Sequence, residues 1–574
     1  MLRPPLAAAL LAGSLALFAP ARADLLLSLD YVDPASPAYL RFKAWVDQAV
    51  AGTPGYAFAA TDAIYMYRLT DQPPYATLAI EWAEDQVAAA EAAIAAGERP
   101  EIAFDSYLYA GPMLRDVALV YAWANPLLAA AQKARWEAYA DQTLWNIWHP
   151  ASASWGGNPF PWSGWGTDNP GNNYHFSFLQ ATMSWALAAN RSAWLADLAN
   201  VRLPALVAYY QQMPGGGSRE GTGYGVAQGR LFELYRLWRD STGVDLADDS
   251  SHLVDSIDYW LHATVPSFDR YAPIGDLARE SYPWLYDYHR ALVLQARAMA
   301  GGAPQRERAS WWLARIAIDE MTSGFNFRDD LLPAGTTGTA PATLHHHATG
   351  AGHLFARSGW TDDALWLSFV AGELSESHAH QEQGAVNLFR DDFLAVSENV
   401  FTHSGIQQGP EVHNTLRFAN GSATLPQHAS TSPVTVTANG GWLHVVADLA
   451  AVHAPTGLVS AWTRTLDFDP LGVTIDDQFT LAGGVSAHFQ VNTPVVPLIA
   501  GGVATAGNLR IVPLVPAAPT MSVVDWHAVD PAEFESGWKL ELAGGTTHYR
   551  VRLELVDGLF ADGFESGDTA AWSP

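Results

Sequence analysis

Three stretches of the chain bring together side chains that could move protons or hold an anion. The first is Asn169-Pro170-Gly171-Asn172-Asn173-Tyr174-His175, preceded by a Trp- and Gly-rich run from Trp155 to Gly166 that includes Trp165. It leads into a helix expected to begin near Ser177, and N–H groups at a helix N-terminus favour anions. Asn and His side chains there could hydrogen-bond a carboxylate, although the same residues also read as a capped helix start. The second stretch, Gly215 to Gly225, carries Arg219, Glu220 and Tyr224 between glycines. Glycines let backbone approach a ligand closely. A Tyr can transfer a proton when a neighbouring cation or His lowers its pKa; a flexible loop with a packing Tyr is the plainer alternative. The third is Ser377 to Gly384, with His378 and His380, followed by Glu398, His403 and His413-Asn414-Thr415. His378 and His380 flank one residue at a strand start and so point to the same face. Imidazoles and a carboxylate from separate loops make a credible metal set of N and O ligands, set against surface histidines in loops.

Lesser groups have ordinary readings. His345-His346-His347 reads as a solvated linker, Asp276 and Arg279 as a salt bridge, and Asp287, Tyr288 and His289 as packing residues.

These groups sit in a long acidic chain. With 574 residues, two or three domains are expected. Lys and Arg number 31 against 59 Asp and Glu, a formal charge of -28, which argues against a nucleic-acid protein. Hydrophobic residues at 49% and charged residues at 16% argue against disorder. The absence of cysteine excludes disulfides, thiolate metal sites and Cys nucleophiles. The 23 Trp, 21 Tyr and 23 Phe suit a large core and equally a groove that stacks on sugar rings.

Residues 1–23 read as a signal peptide: Arg3, an apolar stretch from Leu6 to Phe18, and Ala21-Arg22-Ala23 before Asp24. Export to the periplasm or beyond is expected. Cleavage would leave 29 basic and 59 acidic residues, a charge of -30, with no later run of 18 uncharged apolar residues to span a membrane. Residues 557–574 form a Gly-, Asp- and Ser-rich tail, a frayed end or a sorting signal.

The elements that must position the three stretches fall into two halves. From residue 24 to 335, apolar positions recur three and four apart, as in Ala79, Ala83, Val87 and Ala90. Helices are expected over Tyr75–Gly97, Leu114–Trp148, Ser177–Ala189, Trp194–Met213, His252–Thr264 and Arg306–Thr322, joined as stacked hairpins. From 336 to 556 the period changes to two. Strands are expected at Ala364–Val370, Ala385–Phe389, Phe393–Val396, Trp442–Ala447, Val473–Ile475, Leu509–Val512 (stopped by Pro513) and Tyr549–Leu555, an antiparallel sandwich pattern.

Taken together, these segments resemble the heparinase II/III-like polysaccharide lyases, which include heparinases and alginate lyases. The resemblance rests on Phe355-Ala356-Arg357-Ser358-Gly359-Trp360, the His-x-His of His378 and His380, and His413-Asn414-Thr415. The Asn-Asn-x-His and Glu-Gly-x-x-Tyr stretches add to it. It implies a multidomain α+β chain: an N-terminal α/α toroid, then a C-terminal antiparallel β-sandwich, with the cleft between them. It further implies β-elimination on an acidic polysaccharide or oligosaccharide containing uronic acid, with no nucleic acid as partner. By the same resemblance Asn173 and His175 neutralise the uronate carboxylate, with Asn172 as the alternative register. Tyr224 protonates the leaving oxygen, and His378 assists as base or carboxylate ligand. Arg219, Glu220, Asn172 and Trp165 bind substrate. His380 and His413 match histidines of a structural zinc site, with no organic cofactor; the family's metal-binding Asp falls at Ser397 or Glu398, of which Glu398 is the better zinc ligand. A further family position, the Asp of His-x-His-x-Asp, is Glu382 here.

Two other classes stay open. A glycoside hydrolase on a helical toroid would pair Glu220 with Asp276 or Glu280. A non-catalytic glycan-binding protein would rely on the Trp155–Trp165 loop. For a polyanionic substrate, some of Arg219, Arg230, Arg279, Arg357 and Arg417 must converge on the cleft to offset the negative charge of the molecule.

Overall fold

The computed structural model describes residues 24–277, 283–316, 327–335, 338–397 and 409–556. The signal-peptide residues, the C-terminal tail, Arg279, Glu280, Glu398 and His403 lie outside the described residues.

The N-terminal half is an α/α toroid. Its main helices are Pro37–Val50, Ala60–Thr70, Pro73–Ala95, Ala110–Trp123, Ala130–Trp148, Asn173–Ala188, Gln228–Thr242, His252–Ala263, Asp287–Met299 and Pro304–Leu313. The expected Leu114–Trp148 helix is two helices separated by a 3-10 turn at Asn125–Leu127, where Pro126 removes a donor. The expected Trp194–Met213 helix is interrupted by a π-turn at Leu198–Arg202. Pro204 sits at the start of the helix that follows, where a missing N–H costs least.

The Asn173–Ala188 helix is buried almost all round, with only Tyr174 and Ala188 partly exposed. A helix enclosed on every side needs no polar face. It forms an inner wall of the toroid and carries Asn173 and His175 in its first turn.

The C-terminal half consists of antiparallel sheets. A five-stranded sheet runs His345–Ala348, His353–Arg357, Trp366–Val370, Val386–Arg390 and Asp392–Ala395. An eight-stranded sheet and a second five-stranded sheet complete the sandwich. The first sheet is the layer between the two halves. Phe355, Trp366 and Phe389 pack into the helical core, while Leu354, Leu367 and Leu388 pack into the sandwich core. Both faces are covered, so Trp366–Val370 is buried at every position and its sequence does not alternate.

Two details differ from expectation. His345-His346-His347 is not a solvated linker. It is the edge strand of the middle sheet, and His346 Nε2 donates to the Gly215 carbonyl at 2.7 Å. Pro513 does not stop its strand, which runs Leu509–Val515; a register shift between Pro513 and Val515 accommodates the missing donor. Among the described residues, no helix is long and apolar enough to cross a membrane.

Candidate active site

The site lies where loops of the toroid meet loops of the middle sheet. Asn172 caps the inner helix: its Oδ1 accepts from Tyr174 N at 3.0 Å, and its Nδ2 donates to Glu220 Oε1 at 3.1 Å. Both ends of that amide are therefore engaged within the protein. Asn173 differs, because its Oδ1 is buried with no hydrogen-bond partner. Of the two candidate registers, Asn173 has amide capacity left for a ligand and Asn172 holds the helix start.

His175 donates from Nδ1 to the Gly166 carbonyl at 3.0 Å, which leaves Nε2 buried and unpartnered. Burial lowers its pKa to about 4, so the ring is neutral and Nε2 carries a lone pair. As it stands it is an acceptor. Donating to a carboxylate would require it to gain a proton.

The Gly-rich loop is built for close packing of two backbones. At Gly221, φ is +91° and an added Cβ would lie 2.2 Å from the Ile274 carbonyl. Thr222 N donates to that same carbonyl at 2.9 Å. Glu220 is 1% exposed, accepts from Asn172 and from the Asn173 backbone, and its Oε2 has no partner. Burial, with Glu376 and Asp276 nearby, pushes its carboxyl well above the usual range. Tyr224 opens a short 3-10 turn, Tyr224–Ala227, and its ring stacks on His378 with centroids 3.6 Å apart.

The His-x-His segment is pinned to the toroid by the loop at Gly275 and Asp276. Gly275 N donates to Glu382 Oε1 at 2.7 Å, and Asp276 N donates to the His378 carbonyl at 3.0 Å. Gly275 has φ +67°, and a Cβ there would sit 2.7 Å from the His378 carbonyl, so only glycine fits. Asp276 Oδ2 accepts from His378 Nδ1 at 2.9 Å, and its Oδ1 accepts from His380 Nε2 at 2.6 Å. Burial raises its pKa, but the bonds from the two imidazoles outweigh that and hold it at about 2. Asp276 thus serves two histidines; Arg279, its expected partner, lies outside the described residues. Glu382, buried and pushed up to about 7, anchors the Gly275 loop.

The residues matched to zinc were tested by geometry. His380 Nδ1 and His413 Nε2 face each other at 3.2 Å. Two nitrogens on one tetrahedral zinc stand about 3.3 Å apart at Zn–N bonds of about 2.0–2.1 Å. The remaining neighbours lie on the wrong side. Ser397 Oγ binds the outer nitrogen of His413, Nδ1, at 3.0 Å, and Asp276 binds the outer nitrogen of His380. Glu382 Oε2 is 3.7 Å from His413 Nδ1. The described residues thus supply two of the three or more protein ligands that zinc needs. No group of three or more His, Asp or Glu among them is arranged to hold a metal ion.

The other expected residues are placed as follows. Trp165 is half-exposed, on the aromatic loop. Arg219 lies over the Tyr209 ring and donates from Nε to the Gly350 carbonyl at 2.9 Å. Arg357 is buried against the carbonyls of residues 261, 262 and 264, and Arg417 pairs with Glu541. Arg230 lies in a toroid cavity with Arg115, Glu233 and Arg328. Of the expected arginines that are described, Arg219 adjoins the groups around Glu220, through Tyr209 and Glu376. Reading the sequence brought Asp276 to Glu220 only under the hydrolase alternative and not as a partner of His378 and His380, and it missed Glu376, whose Oε2 accepts from Asn169 at 2.8 Å. Their partners lie 102 to 207 residues away in sequence, beyond the reach of any local pattern.

An α/α toroid followed by an antiparallel sandwich is a fold this chain shares with solved structures of polysaccharide lyases. Heparan sulfate lyase HepC from Pedobacter heparinus has this fold at TM-score 0.59 and 13% identity, over 92% of this chain and 84% of that one. Heparinase III matches at TM-score 0.61 and 13% identity, over 94% and 88%. The chondroitin AC lyase of Streptomyces coelicolor A3 matches at TM-score 0.51 and 14% identity, over 93% and 85%. No family model matches the chain, and no curated protein matches it by sequence.

Proposed function

We propose that this protein is an exported polysaccharide lyase that cleaves a uronic-acid-containing glycan by β-elimination. The observation that carries the reading is the Tyr224–His378 stack, on the same Gly-rich loop whose Glu220 binds Asn172 and the Asn173 backbone, in the fold shared with heparinases and a chondroitin lyase.

The C5 proton of a uronate is weakly acidic, because its loss places charge beside an existing carboxylate. The Nδ2 of Asn173 donates to that carboxylate and stabilises the enolate-like intermediate. His378 Nε2, or the Tyr224 oxygen when ionised, takes the C5 proton. The C4–O bond breaks, the electron pair forms the C4–C5 double bond, and the Tyr224 hydroxyl protonates the leaving oxygen. His175, neutral with a free Nε2, takes a proton as the carboxylate arrives and then donates to it. Arg219, Glu220 and Trp165 border the bound sugar. Residues 1–23 direct export.

Screening alginate, heparin-type, chondroitin-type and glucuronan substrates for ultraviolet-absorbing unsaturated product tests this. No such product from any of them overturns it.

One observation favours a hydrolase as the second reading. Burial raises the Glu220 carboxyl well above its usual range while two imidazoles hold Asp276 low, the opposed shifts that two hydrolytic carboxyls need. Against it, both Asp276 oxygens are already bound to imidazoles. Hydrolysis would release saturated ends with no new absorbance.

A further inference from the structure

The two hydrogen bonds to Asp276 fix where protons sit across five residues. An ionised carboxylate only accepts, so the nitrogen that each imidazole turns toward it must carry hydrogen: Nδ1 of His378 and Nε2 of His380. In a chain of neutral rings, His380 Nδ1 is then a lone pair, and His413 Nε2 donates to it across 3.2 Å. His413 Nδ1 must accept in turn, and the Ser397 hydroxyl, 3.0 Å away, is its donor. His380, Ser397 and His413 are buried, as is Asp276. Hydrogen bonds aligned head to tail in a dry interior polarise one another.

We propose that Asp276 is a positioning residue for His378. As the terminal acceptor of the chain Ser397–His413–His380–Asp276, it holds the His378 ring with hydrogen on Nδ1, so that Nε2 offers its lone pair to the substrate. Asp276 is itself locked in place. Its N–H is bound to the His378 carbonyl, Gly275 before it is bound to Glu382, and a Cβ on Gly223 would lie 2.1 Å from the Asp276 carbonyl. The backbone that carries the carboxylate is therefore fixed, and the two imidazoles hold its oxygens. The Tyr224 ring on the face of His378 removes the remaining freedom of the imidazole to tilt.

This inference rests on the lyase reading for what Nε2 does, and the test separates the two. In the full chain, Asp276→Asn keeps the shape and removes the charge. It lowers kcat on the order of 10²- to 10⁴-fold while KM stays within about threefold. In a His378→Ala background the same substitution costs less than about threefold more, because its effect passes through that ring. Nitrogen-15 histidine labelling of the wild-type chain shows His378 protonated on Nδ1, and Asp276→Asn loses that signature. A kcat retained within about threefold, or full costs that multiply in the double variant, overturns the role. So does an Nε2-protonated His378 in the wild type. If the wild type yields no unsaturated product at all, the lyase reading falls, and the tautomer still decides the role of Asp276.

Discussion

The phenol ring of Tyr224 lies flat on the imidazole of His378, with planes within 7° and centroids 3.6 Å apart, although 154 positions separate them in the chain. One ring comes from the toroid and the other from the loop ahead of the Val386–Arg390 strand, not from a strand start as expected. The stack therefore reports the alignment of the two halves as well as the chemistry. Tyr224→Phe preserves the stack and removes only the hydroxyl. Its kcat is expected to fall on the order of 10²- to 10⁴-fold with KM little changed, measured by unsaturated-product release. Full activity in that variant would remove Tyr224 from the mechanism.

The two adjacent asparagines separate by experiment. Asn173→Ala should lower kcat about 10²- to 10³-fold with unfolding unchanged, since its Oδ1 bonds to nothing in the protein. Asn172→Ala removes a helix cap and a partner of Glu220, and should cost about 1 kcal/mol of stability. Paired thermal melts and rate assays distinguish the two; a reversed pattern would exchange their roles.

Beneath the His-x-His segment, Arg464 and Asp477 are both fully buried and bonded bidentately, at 2.8 and 2.6 Å. The same guanidinium also donates to the Gly384 carbonyl at the end of that segment. Arg464→Met would strand the Asp477 carboxylate and should cost about 3–5 kcal/mol in denaturant unfolding. A loss under about 1 kcal/mol would show that the pair is not structural.

Acid should destabilise the fold before it affects the surface. Burial holds His175, His252 and His453 near pKa 4, and His289 and His353 near 3. These folded values lie below the unfolded value of about 6.5, so the unfolded chain binds protons first as pH falls. The stability from neutral rings is complete above pH 6.5 and is lost progressively toward pH 3–4. Eight carboxyls with raised values, Glu220, Glu382 and Asp62 foremost, act in the opposite sense by relieving a penalty as pH falls, but ten imidazoles among the described residues are lowered. The melting temperature should be lower at pH 5 than at pH 7.5; a flat profile contradicts the burial of these rings.

Much of the architecture was legible in the sequence because its two periods differ. The 3.6-residue spacing of Ala79, Ala83, Val87 and Ala90 is the buried stripe of the Pro73–Ala95 helix. The Gln228–Thr242 and Asp287–Met299 helices were not among those expected, whereas the Trp366–Val370 strand was expected within Ala364–Val370 even though both its faces are covered and it does not alternate. At the site, Asn172, Asn173, Tyr224 and His378 stood out because motifs held them close in sequence. Asp276 did not, because its meaning depends on a sheet formed about a hundred residues later.

Asp276 belongs to the helical half, and both imidazoles that it holds belong to the sheet half. The proposed reaction centre is thus completed only when the helical half and the sheet half register against each other. A fragment of either half, however well folded, would keep part of the equipment and turn over nothing, and a ligand wedged into the seam would silence the protein without touching the sugar pocket.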